Sequence, residues 1–390
     1  MQFTLSASLL VLVVAAVAMP TKRAVCSNGR TTAHASCCVW FDVLDDIQEN
    51  LFDGAECGTP VQSVPRIPLT FHDAIGFSPA LFRTGKFGQA LFLRNLIQMA
   101  HLLAYTHHTD DIVDAQRPFA LAHKVSFGDF IQFAGAVGVS NCVGAPRLEF
   151  LAGRSNISIA SPPDLVPDPF NPVDQIIERF ADAGFTPNEI VDLLASHTIA
   201  AQDHVDPTIP GTPFDSTPSV FDAQFFVETL LVGKTFPGNG SNQGEVVSPL
   251  AGEFRLQSDF AIARDPRMAC EWQSFIANHA TMTTKFRAAM AKMATLGQNR
   301  NFLTDCSDVI PVPKTLTTKP FLPAGKTQKD VQVACHATPF PVLTAQPGTP
   351  PSPFLRPFYG FTDWRLFISR ARYQRRPCVS LCPNIVQSII

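Results

Sequence analysis

Apolar positions between Thr186 and His197 recur with helical spacing. Ile190, Leu193, Leu194 and His197 stand at i, i+3, i+4 and i+7 and so share one face of a helix. Thr186 suits the N-cap, Pro187 the first helical position, and Glu189 completes a capping box. The spacing therefore puts His197 on the buried side, near the C-terminal end of that helix. A buried imidazole is either a hydrogen-bonded core histidine or a ligand to something buried, and the pattern leaves both open. The periodicity then stops. Pro207, Pro210, Pro213 and Pro218 punctuate a loop that carries Asp203, Asp206, Asp215, Thr217 and Asp222. Carboxylates and hydroxyls spaced on irregular backbone suit a hard cation such as calcium, which takes about six to eight oxygens. An ordinary acidic surface loop has the same composition.

Other stretches are read the same way. Residues 160–184 form a proline-rich connection into a short helix, 236–270 read as loops, and Cys270 to Leu296 shows one long helical pattern. Residues 311–355 are rich in proline and threonine and read as extended. Near the N-terminus, LSASLLVLVVAAVAM is apolar, ends in small residues and is too short to span a bilayer comfortably. With the dibasic Lys22-Arg23 after it, residues 1–23 read as a signal peptide and propeptide, and the mature chain is expected to start near Ala24. No later segment reads as a membrane span.

Composition narrows the picture further. A chain of 390 residues can bury a large core as one large domain or two lobes, and a net charge of -3 gives no reason to expect nucleic-acid binding. Secretion is supported by sequons at Asn156 (NIS) and Asn239 (NGS). Ten cysteines in a secreted chain imply disulfides, but spacing leaves their connectivity open. No HExxH or close histidine pair with a third ligand favours a zinc hydrolase.

The run LLASHTIA (193–200) followed by PFDSTPSVFDAQFFVETLL (213–231) resembles the proximal segment of secreted fungal haem peroxidases, the lignin, manganese and versatile peroxidase family. The resemblance implies that His197 is the axial ligand of haem b. It implies a proximal calcium site at Thr198, Asp215, Thr217, Asp222 and the Val220 carbonyl. In LQSDFAIARD, Asp259 matches the aspartate that bonds the axial histidine and raises its electron donation. In LTFHDAIGFSP, His72 resembles the distal histidine and Asp73 the first ligand of a distal calcium. A neutral imidazole there would take a proton from hydrogen peroxide and return it to the leaving oxygen. Eight cysteines fall at family positions, implying Cys26–Cys38, Cys37–Cys306, Cys57–Cys142 and Cys270–Cys335; Cys378 and Cys382 stand outside that framework. Residues 24–57 resemble the family's opening helix, with Val39, Phe41, Leu44, Ile47 and Leu51 as its apolar face.

The distal pattern is interrupted. The family's arginine four residues before the distal histidine is replaced by Pro68, and the nearest arginine is Arg66. Pro60, Pro65 and Pro68 are expected to interrupt the helix that presents His72. Where the family has a glycine-rich calcium loop, residues 89–108 hold neither glycine nor acid, and the asparagine that orients the distal histidine is missing. The last 35 residues, 356–390, carry six arginines against one acid and do not resemble the family. Both segments, with 59–68, read as foreign stretches, as from a mis-spliced or frameshifted reading, or else as true divergence.

Substrate signals are equally partial. The family's electron-relay tryptophan, five residues before the axial histidine, is Asp192 here. Of three carboxylates expected for Mn(II), Asp203 alone is present, since 58–71 contain no Asp or Glu. The expected architecture is mostly α, a disulfide-bonded two-lobed haem peroxidase fold with haem between the lobes. Its parts are a distal lobe 24–165, a proximal lobe 166–310, an extended wrap 311–355 and a tail 356–390. The expected activity is hydrogen-peroxide-driven oxidation of Mn(II) or small phenolic, lignin-related substrates by a secreted monomer with no membrane or nucleic-acid partner. The alternative is a haem-binding homologue with little or no catalysis.

Overall fold

The chain is described here by a computed structural model covering residues 23–57, 68–83, 110–156, 162, 164–232 and 242–348. Arg66, Pro60, Pro65, Asn239, Cys378, Cys382, residues 1–22, segment 89–108 and tail 356–390 lie outside the described residues. Of the two units into which the chain divides, Met1–Pro353 holds every described residue; Phe354–Ile390 holds none.

The described α-helices are α1 (Val39–Asn50), α2 (Pro68–Ile75), α3 (Pro79–Arg83), α4 (Asp110–His123) and α5 (Phe127–Ser140), followed by α6 (Val173–Asp182), α7 (Pro187–Leu194), α8 (Gln224–Glu228), α9 (Gln257–Ile262), α10 (Ala269–Ala277) and α11 (His279–Ala294). Among the described residues, apart from isolated bridges, strands form three antiparallel two-residue ladders. β1 (Ala24–Val25) pairs with β2 (Thr31–Thr32), β3 (Leu151–Ala152) with β6 (Thr304–Asp305), and β4 (Ala201–Gln202) with β5 (Thr212–Pro213). Among the described residues, disulfides join Cys26–Cys38, Cys37–Cys306, Cys57–Cys142 and Cys270–Cys335, the pairs the resemblance implies. The second spans 269 residues and ties β6's end of the chain to the base of α1. A loop-closing bond of this kind contributes about 2–4 kcal/mol.

Buried apolar side chains from both halves form one contiguous core. On α1 the buried stripe is Trp40, Phe41, Val43 and Ile47, while Val39, Leu44 and Leu51 only flank it, so the expected face is rotated toward the Trp40–Phe133–Phe150 ring cluster. Helix α5 is buried along nearly its whole length and packs on α2 and α4. The approach of α2 is close: a methyl group at Gly135 would meet the Thr70 methyl at 2.3 Å, a distance no real contact shows.

Helix α7 starts as its sequence requires. The Thr186 hydroxyl accepts from Glu189 N (3.3 Å), the Glu189 carboxylate accepts from Thr186 N (2.8 Å), and Pro187 opens the helix. Such a cap is worth about 1 kcal/mol. The expectation that His197 belongs to this helix is corrected. The α-helix ends at Leu194, and Ala195–Ile199 continue as a 3₁₀ turn. Ser196 Oγ bonds back to the Leu193 carbonyl (2.9 Å), and Ala200 turns extended, so the last turn tightens instead of propagating.

Three other expectations change. Pro68 opens α2 rather than interrupting it, because a proline in the first turn gives up an N–H that has no helical partner. The single helix expected from Cys270 to Leu296 is two, broken at Asn278 (φ -146°, ψ 88°), whose side chain caps α11 by accepting from Thr281 N. Residues 236–270, expected as loops, contain α9. The stretch 311–348 is mostly extended as expected, with one 3₁₀ turn at Gln328–Asp330 and isolated bridges at Leu231–Val331 and Leu322–Ala345. No described helix is long and apolar enough to cross a membrane.

Candidate functional site

Helix α11 packs against both α2, which bears His72, and the 3₁₀ turn that bears His197. It is joined to α7 by the Lys292–Glu189 ion pair at 2.7 Å.

The His197 ring is oriented from behind. Its Nδ1 lies 3.0 Å from Asp259 Oδ2, on the first turn of α9. The Asp259 side chain is 2% exposed and the imidazole 23%. A buried carboxylate accepting at Nδ1 fixes the tautomer with the proton on that nitrogen. No described residue bonds Nε2. The rings of Phe214 and Phe225 flank the imidazole at 5.1 and 5.5 Å. The structure brings Asp259 and His197 together, as the resemblance implies.

One residue on, the chain builds an all-oxygen cluster. Thr198 Oγ1 donates to Asp215 Oδ2 at 2.6 Å and lies 3.4 Å from the Val220 carbonyl and 3.5 Å from Asp222 Oδ1. Thr217 Oγ1 reaches Asp222 Oδ1 (3.1 Å) and Asp215 Oδ1 (3.4 Å). Thr198, Asp215 and Asp222 are all buried. Burial pushes Asp215 well above the usual carboxylate range, with the charges of Glu228 and Asp222 adding to it. Burial raises Asp222 as well. Two buried carboxylates, two hydroxyls and a carbonyl are a donor set that suits a hard dication. No group of three or more His, Cys, Asp or Glu suited to a metal occurs among the described residues, so any metal here draws on hydroxyl and carbonyl oxygens too.

The other loop carboxylates separate from this cluster. Asp203 Oδ1 accepts from Gly211 N at 2.8 Å, across the β4–β5 loop. Asp206 is buried and accepts from both Thr208 N and Thr208 Oγ1 (2.9 and 2.6 Å). Both hold the loop's own backbone.

Behind the cluster lies a polar core that the sequence reading missed. Glu228 accepts from Ser216 N, Ser216 Oγ and Gln224 Nε2 (2.8, 2.7 and 2.7 Å), and its carboxylate hydrogen-bonds the Glu253 carboxyl. Burial, then the Glu228 charge, pushes Glu253 well above its ordinary range, and burial raises Glu228 as well. Arg255, brought down to about 10 mainly by burial, donates to the carbonyls of Glu228 and Leu231. Charged residues inside the apolar runs FVETLL and AGEFRL were the available signal.

Asp192 is not an exposed surface position. It is 7% exposed, and one carboxylate oxygen has no hydrogen-bond partner among the described residues. Burial and the neighbouring Glu271 raise it to about 7, against the pull of Lys285.

His72 is half-buried on α2, with its ring edge-on to Phe71 at 5.6 Å. Asp73 and Thr70 are buried beside it. Exposed Asn156 accepts from Phe127 N at 3.1 Å through Oδ1.

A family model described as peroxidase matches residues 43–278, and one described as fungal peroxidase extension region matches residues 281–355. The chain is 56% identical over 341 residues to a versatile peroxidase, VPS1, of Pleurotus eryngii, an alignment covering 85% of this chain and 92% of that protein. It is 53% identical over 338 residues to ligninase LG6 of Phanerodontia chrysosporium, covering 85% and 90%. It is also 53% identical over 333 residues to manganese peroxidase 3 of Phlebia radiata, covering 84% and 91%.

Proposed function

The chain belongs to the fungal haem peroxidase family of lignin, manganese and versatile peroxidases, and from that premise we propose that it oxidises small phenolic reductants with hydrogen peroxide in one-electron steps. Mn(II) is a second reductant in this reading, carried by Asp203. Membership makes it a haem peroxidase oxidoreductase. Its state is a secreted, glycosylated monomer, with a distal lobe to about residue 165 and a proximal lobe after it.

The observation that carries the reading is the bond from His197 Nδ1 to buried Asp259, which leaves Nε2 as the nitrogen that would hold the haem iron. When bound, haem b supplies the redox-active iron that takes oxidising equivalents from peroxide and passes them on one at a time. Asp259 keeps the His197 tautomer fixed and makes its Nε2 a stronger donor. His72 accepts the peroxide proton and delivers it to the departing oxygen, a transfer worth about 10²–10⁴-fold. Thr198, Asp215, Thr217, Asp222 and the Val220 carbonyl would hold calcium, whose charge would offset the two buried carboxylates within reach of Thr198, the residue after His197. Asp73 would contribute to a distal calcium.

Phenols are preferred over Mn(II) because Asp203 is one acid where a hard-cation site wants several, and its Oδ1 already holds Gly211 N. Asp192 excludes an aromatic relay at its position. The test is turnover of the haem-loaded chain by hydrogen peroxide with a small phenol and with Mn(II) in parallel. The reading expects phenol oxidation with kcat/KM well above that for Mn(II). A ferric Soret band with turnover of neither reductant would mean a haem-binding homologue without catalysis. The same band with Mn(II) preferred would overturn the substrate assignment.

A further inference from the structure

We propose that Arg179 and Asp182 on α6 are positioning residues for His72, clamping the C-terminal end of α2 from the half of the chain that carries His197. The inference rests on the role assigned to His72 above.

The clamp is made of side-chain bonds to backbone across roughly 100 residues of sequence. Arg179 donates through one terminal nitrogen to the carbonyls of Ile75 (2.6 Å) and Phe77 (2.5 Å). The other terminal nitrogen donates to Asp182 Oδ2 at 2.7 Å, and Nε donates to the Leu165 carbonyl at 3.0 Å. Asp182 uses its second oxygen, Oδ1, to accept from Ala80 N at 2.9 Å. One ion pair therefore grips both sides of the 75–80 turn. Ile75 is three residues beyond His72 and closes α2, where carbonyls lack helical partners and carry the negative end of the helix dipole. A guanidinium is the cation suited to that place, because its fork satisfies several carbonyls in fixed directions.

A second contact brings α6 to the other side of His72. Phe180 stacks on Phe71 with centroids 5.8 Å apart and planes 18° from parallel, and Phe71 in turn meets the His72 ring edge-on. Helix α6 also packs on α7, which runs into the His197 turn. Through Arg179, Asp182 and Phe180, one helix refers the His72 helix to α7, the helix that leads into the His197 turn. Asp182 and Arg179 make no bond to His72 itself, so their effect passes through the α2 backbone.

The test compares full-length wild type with Arg179→Gln, Arg179→Lys and Asp182→Asn. The first readout is amide hydrogen exchange, which needs no haem. In Arg179→Gln, peptides covering 72–80 should exchange about tenfold faster, the effect of losing charge-assisted bonds, while 187–199 stay as in wild type. The second readout is cyanide binding to the ferric, haem-loaded protein, where His72 takes the proton released by hydrogen cyanide. Its dissociation constant should rise about tenfold with the ferric Soret band unchanged, and Arg179→Lys, which keeps charge but not the fork, should fall between. Unchanged exchange in 72–80, or equal acceleration across all segments, would overturn the proposal. Equal cyanide affinity in all variants would overturn it too. If Arg179→Gln does not accumulate folded, Asp182→Asn is judged on the same two criteria. A wild type that takes no haem would fail the functional reading, while the exchange pattern would still decide the clamp.

Discussion

The turn bearing His197 and the helix bearing His72 are held in place by different kinds of contact. Around His197 the anchors are many and mutually reinforcing. Asp259 fixes the ring, Thr198 ties the next residue to Asp215, and a capping box starts α7. The Lys292–Glu189 pair joins α7 to α11, and the β4–β5 ladder closes the following loop. Around His72 the described anchors act through the helix itself: Thr70 against Gly135, Phe71 on Phe180, and the Arg179–Asp182 clamp on the backbone at the end of α2. A site with redundant anchors loses chemistry when its reacting atoms change, but keeps its shape. A site held through its helix backbone is displaced by changes far from the reacting atoms.

Four experiments break or sharpen this contrast. His72→Leu removes the proton carrier without touching the His197 network. Peroxide reaction of the haem-loaded variant should slow about 10²–10⁴-fold with the ferric Soret band retained. Asp259→Asn keeps the shape but offers a neutral amide to His197 Nδ1. Haem affinity or peroxide reactivity should fall about 10–100-fold, read by haem titration and single-turnover kinetics.

Calcium removal tests the oxygen cluster. With chelator, Asp215 and Asp222 face each other in a buried site, and the midpoint of thermal unfolding should drop by about 5 °C relative to saturating calcium. A midpoint unaffected by chelator would mean that the cluster is satisfied by protons alone.

Asp192→Asn is the mildest. The folded carboxyl binds its proton more tightly than the unfolded one, at about 7 against 3.8. Its contribution is therefore complete below about pH 4 and declines as pH rises from there to about 7. The asparagine needs no proton. Between about pH 5 and pH 8 the wild-type midpoint should fall by about 2 °C more than the variant's, read by calorimetry.

Local signals were legible and long-range ones were not. Thr186, Pro187 and Glu189 mark the start of α7 because capping chemistry acts within four residues. The end of that helix was misread, since Ile190, Leu193, Leu194 and His197 keep helical spacing across a 3₁₀ turn whose side chains face nearly the same way. Asn278 passed unnoticed as a cap inside an otherwise continuous pattern. A proline's effect depends on which turn it occupies, so Pro68 reads as a break in the sequence yet opens α2 in the fold. The juxtaposition of Thr198, Asp215, Thr217 and Asp222 came from resemblance, as did Asp259, which lies 62 residues from His197 and has no local signature. Glu228 with Glu253 and Arg179 with the 75–80 turn are tertiary pairings, invisible to any periodicity. What could have flagged them is a charge set inside an apolar run.

The most direct measurement is stopped-flow mixing of the haem-loaded chain with hydrogen peroxide, followed at the Soret band. The account predicts a ferric band typical of histidine ligation that changes rapidly and in proportion to peroxide, then returns when a phenol is added. A normal ferric band that peroxide leaves unchanged or merely bleaches would contradict the role given to His72. No Soret band after haem loading would contradict the role given to His197 and Asp259, and with it the central claim.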